Sequence, residues 1–231
     1  MSTTVPYNKA VIATAVAIIF HLVGLTGILF FDRSFFVSLT PWNLLLSVVL
    51  LIWSQPSKNE WFYLFLFIAF ATGFFAEFIG VNYQWLFGSY EYGSSMGVQY
   101  RNVPWIIGVN WAMMMVICGM SVQIVLNGIW NKLKNEDEPV RNNVGFVAVI
   151  LDGALLATFF DWVMEPVAVQ LGYWKWLGDG TIPTLNYLSW FGVSALLLLV
   201  FRLFPFRKDN QFALHLLLIQ LMFFLILRTF L

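Results

Sequence analysis

Seven apolar segments restrict this chain more than any other feature. They cover roughly 9–31, 37–54, 61–81, 103–127, 144–166, 184–204 and 211–230. Crossing the hydrocarbon of a bilayer as a helix takes about 20 mostly apolar residues. In lipid a backbone must satisfy its own polar groups, which leaves helices and closed barrels as the only spanning forms. The chain is 60% hydrophobic and 10% charged, where an ordinary soluble domain carries about 25% charged residues. The expectation is an all-α integral membrane protein of about seven transmembrane helices in one bundle, with residues 1–231 as a single polytopic membrane domain. The stretch from Ala10 to Phe31 exceeds the roughly 7–15 apolar residues of a signal peptide and reads as the first span.

Lysine and arginine suggest the orientation. Lys9, Lys58, Lys132, Lys134, Arg141, Arg202, Arg207 and Lys208 fall on the N-terminal side, against Arg33, Arg101, Lys175 and Arg228 on the other. This bias predicts a cell-membrane protein, bacterial or archaeal, with a cytoplasmic N-terminus and the C-terminus outside. The net charge is zero, and the absence of a basic patch argues against nucleic acid as a partner. The single cysteine, Cys118, cannot form a disulfide within the chain.

A pattern of acids and aromatics occurs twice. Glu77 is followed eleven residues later by Gly88, then Tyr90 and Tyr92; Asp161 is followed eleven residues later by Gly172, then Trp174 and Trp176. Each copy continues to a Val-Pro or Ile-Pro pair, Val103-Pro104 and Ile182-Pro183, and then to Trp111 and Trp190. The copies read as helical hairpins, roughly 61–127 and 144–204, entering the membrane from the same side. They are therefore parallel repeats about an axis near the membrane normal. Pro41-Trp42 opens the second span much as Pro104-Trp105 opens the fourth, a faint third copy.

Four acids lie inside spans: Glu77, Asp152, Asp161 and Glu165. An intramembrane carboxyl is expensive and marks a functional site by default. Asp161 and Glu165 are one turn apart on one helix face, whereas Asp152 falls on the opposite face and suits a structural contact. Two close carboxyls in a dry site cannot both ionise cheaply, so one keeps a proton. Together they supply an acid and a base. The competing reading is a structural network with Arg101, Gln84, Asn110 or Asn186. Eight of the 11 tryptophans, Trp42, Trp85, Trp105, Trp111, Trp162, Trp174, Trp176 and Trp190, gather toward the end that holds the acids, more than an interfacial belt explains.

His21 and His215 have no paired spacing, so a metal centre is not expected and each suits an interhelical hydrogen bond. No dinucleotide fingerprint, P-loop or paired-cysteine motif occurs. Carboxylic acids and aromatic faces suit protonation of an electron-rich alkene. Aromatic faces stabilise the resulting tertiary cation by about 0.5–2 kcal/mol each, and water or an internal double bond then traps it.

The stretch Phe87-Gly88-Ser89-Tyr90-Glu91-Tyr92, with Gly97, Val103-Pro104-Trp105, Trp111, Asp161-x-x-x-Glu165-Pro166, Gly172-Tyr173-Trp174-Lys175-Trp176, Ile182-Pro183 and Asn186, resembles the carotenoid-biosynthesis membrane proteins that include the carotenoid 1,2-hydratases. The resemblance covers roughly residues 61–204. The second copy reads Thr181-Ile182-Pro183 in place of a Gly-Val-Pro-like turn. The resemblance implies a long isoprenoid substrate with a lycopene-like or γ-carotene-like end, and water added across its terminal double bond. It implies no redox cofactor, a distant relation to the small membrane lycopene cyclases, and other carotenoid enzymes as possible partners. On the physical argument, Asp161 paired with Glu165 donates the proton and Glu77 activates or orients the water, roles that Glu77 and Asp161 could exchange. Tyr90, Tyr92, Trp105, Trp111, Trp174, Trp176 and Trp190 are expected to line the pocket, with Asn110 and Asn186 holding the water. End-group cyclisation is the nearest alternative; a proton-coupled transporter and a pigment-binding protein are the alternatives outside that chemistry.

Overall fold

The computed structural model describes residues 8–132 and 138–231, with the side chains of 138–143 left aside. Lys134 lies outside the described residues, and Arg141 lies outside those whose side chains are described. Eight helices appear among them: α1 (Lys9–Phe30), α2 (Arg33–Ser38), α3 (Thr40–Ser54), α4 (Glu60–Tyr83), α5 (Trp105–Trp130), α6 (Glu138–Gln170), α7 (Thr184–Leu203) and α8 (Gln211–Phe230). All but α2 and α3 are long and apolar enough to cross a membrane, with mean hydropathy between 1.7 and 2.3.

The second predicted span differs. Segment 37–54 is divided at Leu39 into α2 and the 15-residue α3. Pro41 in the first turn of α3 has no amide hydrogen and its ring clashes with the carbonyl four residues back. A helix starts there readily, whereas passing through would cost about 3 kcal/mol. At 1.5 Å per residue α3 is about 22 Å long, shorter than the roughly 30 Å of hydrocarbon.

Side chains set the other helix starts. Asn8, Asp32, Asn59 and Asn210 each accept a backbone amide from the first turn of α1, α2, α4 and α8, satisfying one of the orphan donors there. The α3–α4 and α7–α8 turns are tied to one another: Asn59 donates to the Pro205 carbonyl at 2.7 Å and Gln55 to the Arg207 carbonyl at 2.7 Å. Helix α5 is central and packs against α3, α4, α6, α7 and α8. It is apolar all round, as a helix buried by neighbours must be, and every residue from Trp111 to Ser121 is buried.

At the other end the loops after α4 and α6 meet. Strand β1 (Tyr90–Tyr92) pairs antiparallel with β4 (Trp174–Trp176), with Glu91 opposite Lys175. Between them β2 (Gln99–Tyr100) and β3 (Val103–Pro104) form a short hairpin. Its turn residues, Arg101 and Asn102, both take left-handed φ, as a two-residue hairpin turn requires. Because α4 and α6 both run into the β1–β4 ribbon and α5 and α7 both leave it, the two hairpins are parallel. The ribbon places the central residues of the two copies, Glu91 and Lys175, opposite one another, with Tyr90 across from Trp176 and Tyr92 across from Trp174. Gly88 and Gly172 recur because both adopt positive φ, 122° and 73°, which is open to glycine at little cost.

Helix α6 continues through Pro166 to Gln170. The proline leaves the Trp162 carbonyl without its helical partner. Arg228 of α8 supplies one at 3.2 Å, and its guanidinium lies 4.4 Å from the centre of the Trp162 ring. We expect Arg228→Leu to lower stability by about 0.5–1.5 kcal/mol, the net contribution of one hydrogen bond in an exposed contact. Thermal unfolding of the detergent-solubilised protein measures this.

Candidate active site

Three acids reach one cavity of about 70 Å³ beneath the ribbon, lined by residues of α3 to α8 and of the connecting loops. Glu77 is 5% exposed, Asp161 0% and Glu165 2%. A buried charge without partners costs several kcal/mol, so the donors around each acid determine what it can do.

Glu77 is saturated. Tyr90 and Tyr92 donate their hydroxyls to its Oε2 at 2.5 and 2.7 Å, and the Trp111 indole donates to Oε1 at 2.9 Å. Burial, and then the charge of Glu77 beside them, push both phenols well above the usual tyrosine range, so they remain donors at any physiological pH. Glu165 has a matching arrangement built from indoles: Trp174 and Trp176 both donate to its Oε2 at 3.0 Å. The Asn186 amide bridges the two acids of α6, donating to Asp161 Oδ2 at 2.7 Å and toward Glu165 Oε1 at 3.4 Å. Asp161 Oδ1 has no hydrogen-bond partner among the described residues.

Spacing equates Glu77 with Asp161, but hydrogen bonding equates Glu77 with Glu165. Each of those two accepts the alternate aromatics of its own repeat's strand. Asp161, one turn earlier on α6, is the acid with a free oxygen. The structural network weighed from sequence is therefore partly present: Asn186 belongs to it, while Gln84 instead accepts from Ser89 at 2.9 Å. Arg101 is exposed, and its carbonyl accepts from Asn82 at 3.1 Å.

Two more pairs complete the walls. The Trp111 and Trp190 rings stack 4.1 Å apart at 16°, again equivalent residues of the two copies facing one another. Tyr90 lies against Trp176, with ring centres 5.2 Å apart, and Tyr92 against Trp174, 5.9 Å apart. Asn110 and Asn186 both line the cavity. The Glu91–Lys175 pair at the ribbon's centre is close, 2.6 Å, but exposed, and such pairs contribute about 0–1 kcal/mol.

Trp105 departs from expectation. It is 46% exposed, stacked on Phe74 at 4.6 Å, and does not line the cavity. As the first residue of α5 it lies six residues before Trp111, a rotation of about 600° that puts it on a different face of the helix. The gathered tryptophans thus divide. Trp42, Trp85, Trp105 and Trp162 are exposed, as in an interfacial belt, and Trp111, Trp174, Trp176 and Trp190 are buried around the acids. Asp152 is exposed on the far side of α6. His215 makes the expected interhelical bond, to Thr14 at 2.8 Å, but His21 bonds the Ala17 carbonyl of its own helix.

Sequence reasoning missed Thr40, Tyr173 and Gln220, which also line the cavity. Tyr173 and Thr40 share a hydrogen bond of 2.6 Å, and burial pushes the Tyr173 phenol up to about 12. Gln220, a buried amide in the apolar run of α8, was the legible signal among them. The unusual Thr181 has a local reason, since its amide and hydroxyl both donate to Asp179 Oδ1, at 3.0 and 2.8 Å. These bonds close the turn across Gly180, which takes a positive φ of 77°.

The chain belongs to the carotenoid biosynthesis protein family, which it matches over residues 40–231. The match extends beyond the motif-bearing region on both sides. No curated protein and no solved structure matches it.

The position of Trp111 depends on a close approach of α4 and α5. A Cβ on Gly73 would lie 2.2 Å from Trp111 Cγ. We expect Gly73→Ala to displace the indole from Glu77, at about 1–3 kcal/mol for the lost bond to a buried carboxyl. The thermal midpoint and the near-ultraviolet circular dichroism of the stacked Trp111–Trp190 pair should both change. An unaltered spectrum would contradict this account of how Trp111 is held.

Proposed function

We propose that this member of the carotenoid biosynthesis family is a hydratase, adding water across the terminal double bond of an acyclic carotenoid end. The observation that carries the reading is the unequal provision for the three buried acids. Glu77 accepts three hydrogen bonds and Glu165 two from indoles, while Asp161 keeps one oxygen without a partner at the cavity wall.

The chemistry follows from that inequality. Asp161 carries the proton on its free oxygen and gives it to the less substituted alkene carbon. The positive charge forms on the tertiary carbon, between the Trp111–Trp190 stack and the Tyr90, Tyr92, Trp174 and Trp176 rings. Faces of this kind contribute about 0.5–2 kcal/mol each when desolvated. Glu77 and Glu165 stay fixed by their donors and oppose the cation with negative charge, an electrostatic arrangement that needs no reorganisation during the reaction. Water held by Asn110 and the phenols on Glu77 attacks the cation and loses a proton to the carboxylates. A proton thus returns to Asp161, and the net change is alkene plus water giving a tertiary alcohol. No redox cofactor or metal enters the sequence.

Product analysis in a lycopene-accumulating host tests this. The wild-type chain should yield pigment heavier by one or two waters; a product of unchanged mass with cyclised ends would replace hydration by cyclisation. Asp161→Asn should lower the yield by about a hundredfold or more, the usual contribution of a general acid. Glu77→Gln and Glu165→Gln should each reduce it less severely, because an amide retains an oxygen for the ring donors. Undiminished hydrated product in all three variants would overturn the assignment.

A further inference from the structure

The acid cavity is too small to hold a long chain. Its volume of about 70 Å³ admits a handful of water-sized groups, at about 10–15 Å³ for each. Beside it lies a larger space of about 440 Å³ between α1, the α2–α3 corner and α8. The two spaces share five wall residues: Thr40, Leu44, Tyr173, Gln220 and Phe224. The two spaces are therefore adjacent, divided by the Thr40–Tyr173 hydrogen bond and the Gln220 amide. Its outer rim, Phe20, Val23 and Trp42, is 51%, 53% and 69% exposed, on the face that apolar helices α1 and α8 present to lipid.

We propose that this groove is the binding site for the linear polyene of the substrate, which enters sideways from the bilayer and passes its end group between Tyr173 and Gln220 to the acids. The proposal rests on the reading of the cavity as the reaction site, and it commits the groove to that one occupant because the groove shares those five wall residues with the cavity. The chemistry of the walls is consistent with it. The carboxyls are confined to the small cavity, while the groove is walled mainly by aliphatic and phenyl groups, which offer a hydrocarbon dispersion contacts and no bond it must lose. A groove with one reactive end admits one end group at a time. A carotenoid reactive at both ends must leave and return reversed.

Gly24 offers a way to close the groove without disturbing the fold. It lines the groove, and a Cβ there would meet nothing nearer than Phe223 Cε2 at 3.8 Å. The half-buried Leu46 lines the groove but not the acid cavity. The probe is lycopene added to the purified, detergent-solubilised protein, with binding read from circular dichroism induced in the polyene absorption. Wild type and Asp161→Asn should bind alike, and Gly24→Phe and Leu46→Trp should bind at least tenfold more weakly while keeping the wild-type thermal midpoint. Turnover of myrcene, a short alkene with the same end group, should survive in both groove variants. Wild-type affinity for lycopene in either folded variant would overturn the proposal. So would loss of copurified phospholipid from the variants with lycopene binding intact, since the groove would then hold an acyl chain. Groove-dependent binding without any hydrated product would leave this site standing and remove the hydratase reading instead.

Discussion

A carboxyl in hydrocarbon must be given hydrogen bonds by the protein, and the structure around this site follows from that requirement. Water is not there to supply them. The donors chosen are phenols and indoles, groups that bring apolar bulk with a single polar hydrogen. They can fill a wall and satisfy an acid together. Holding four such side chains over two acids takes a rigid support, and the β1–β4 ribbon provides it. Alternate residues of a strand face the same side, so Tyr90 and Tyr92, and Trp174 and Trp176, point down to the acids while Glu91 and Lys175 point out.

Duplication explains why the support closes. In an antiparallel ribbon made of two copies of one segment, the central residue of each copy lies opposite its own equivalent. Glu91 and Lys175 do so, and deeper in the bundle Trp111 stacks on Trp190 in the same way. Two contacts between equivalents, at two depths, define an axis along the bundle. The acids are arranged about it, and symmetry alone would make the halves alike. Phenol in one copy and indole in the other break the likeness. The indole pair takes Glu165 rather than the acid that spacing equates with Glu77, which leaves Asp161 with Asn186.

Much of this was legible in the residues. Long apolar runs define the bundle because lipid permits few other folds, and the acid-to-glycine spacing marks the copies because Gly88 and Gly172 need positive φ. What escaped depends on which groups meet in space. Hydropathy does not register that Pro41 divides the second apolar run into a corner and a short helix. Trp105 and Trp111 are both tryptophans of α5, and only the direction of the helix toward the axis separates the exposed ring from the buried one. The exchange of roles between Asp161 and Glu165 is a matter of one helical turn and of side-chain reach, which spacing does not encode. Thr40 and Tyr173 are joined by a hydrogen bond across 133 residues, and no local pattern announces such a pair.

The corner at Pro41 has a consequence beyond its own geometry. A straight span in that place would pack along α1 and close the bundle against lipid. A short α3 preceded by the turned α2 leaves a gap whose far walls are α1 and α8. The family match begins at residue 40, so α1 and α2 fall before it, and the groove is assembled where matched and unmatched parts of the chain meet. The acids, the ribbon and the tryptophan stack all lie within the matched part. On the proposed reading the chemistry belongs to the duplicated hairpins, and access from the membrane belongs to α1, the α2–α3 corner and α8, which wall the groove. On that reading, changes in α1 and α2 alter which hydrocarbon is admitted without moving an acid.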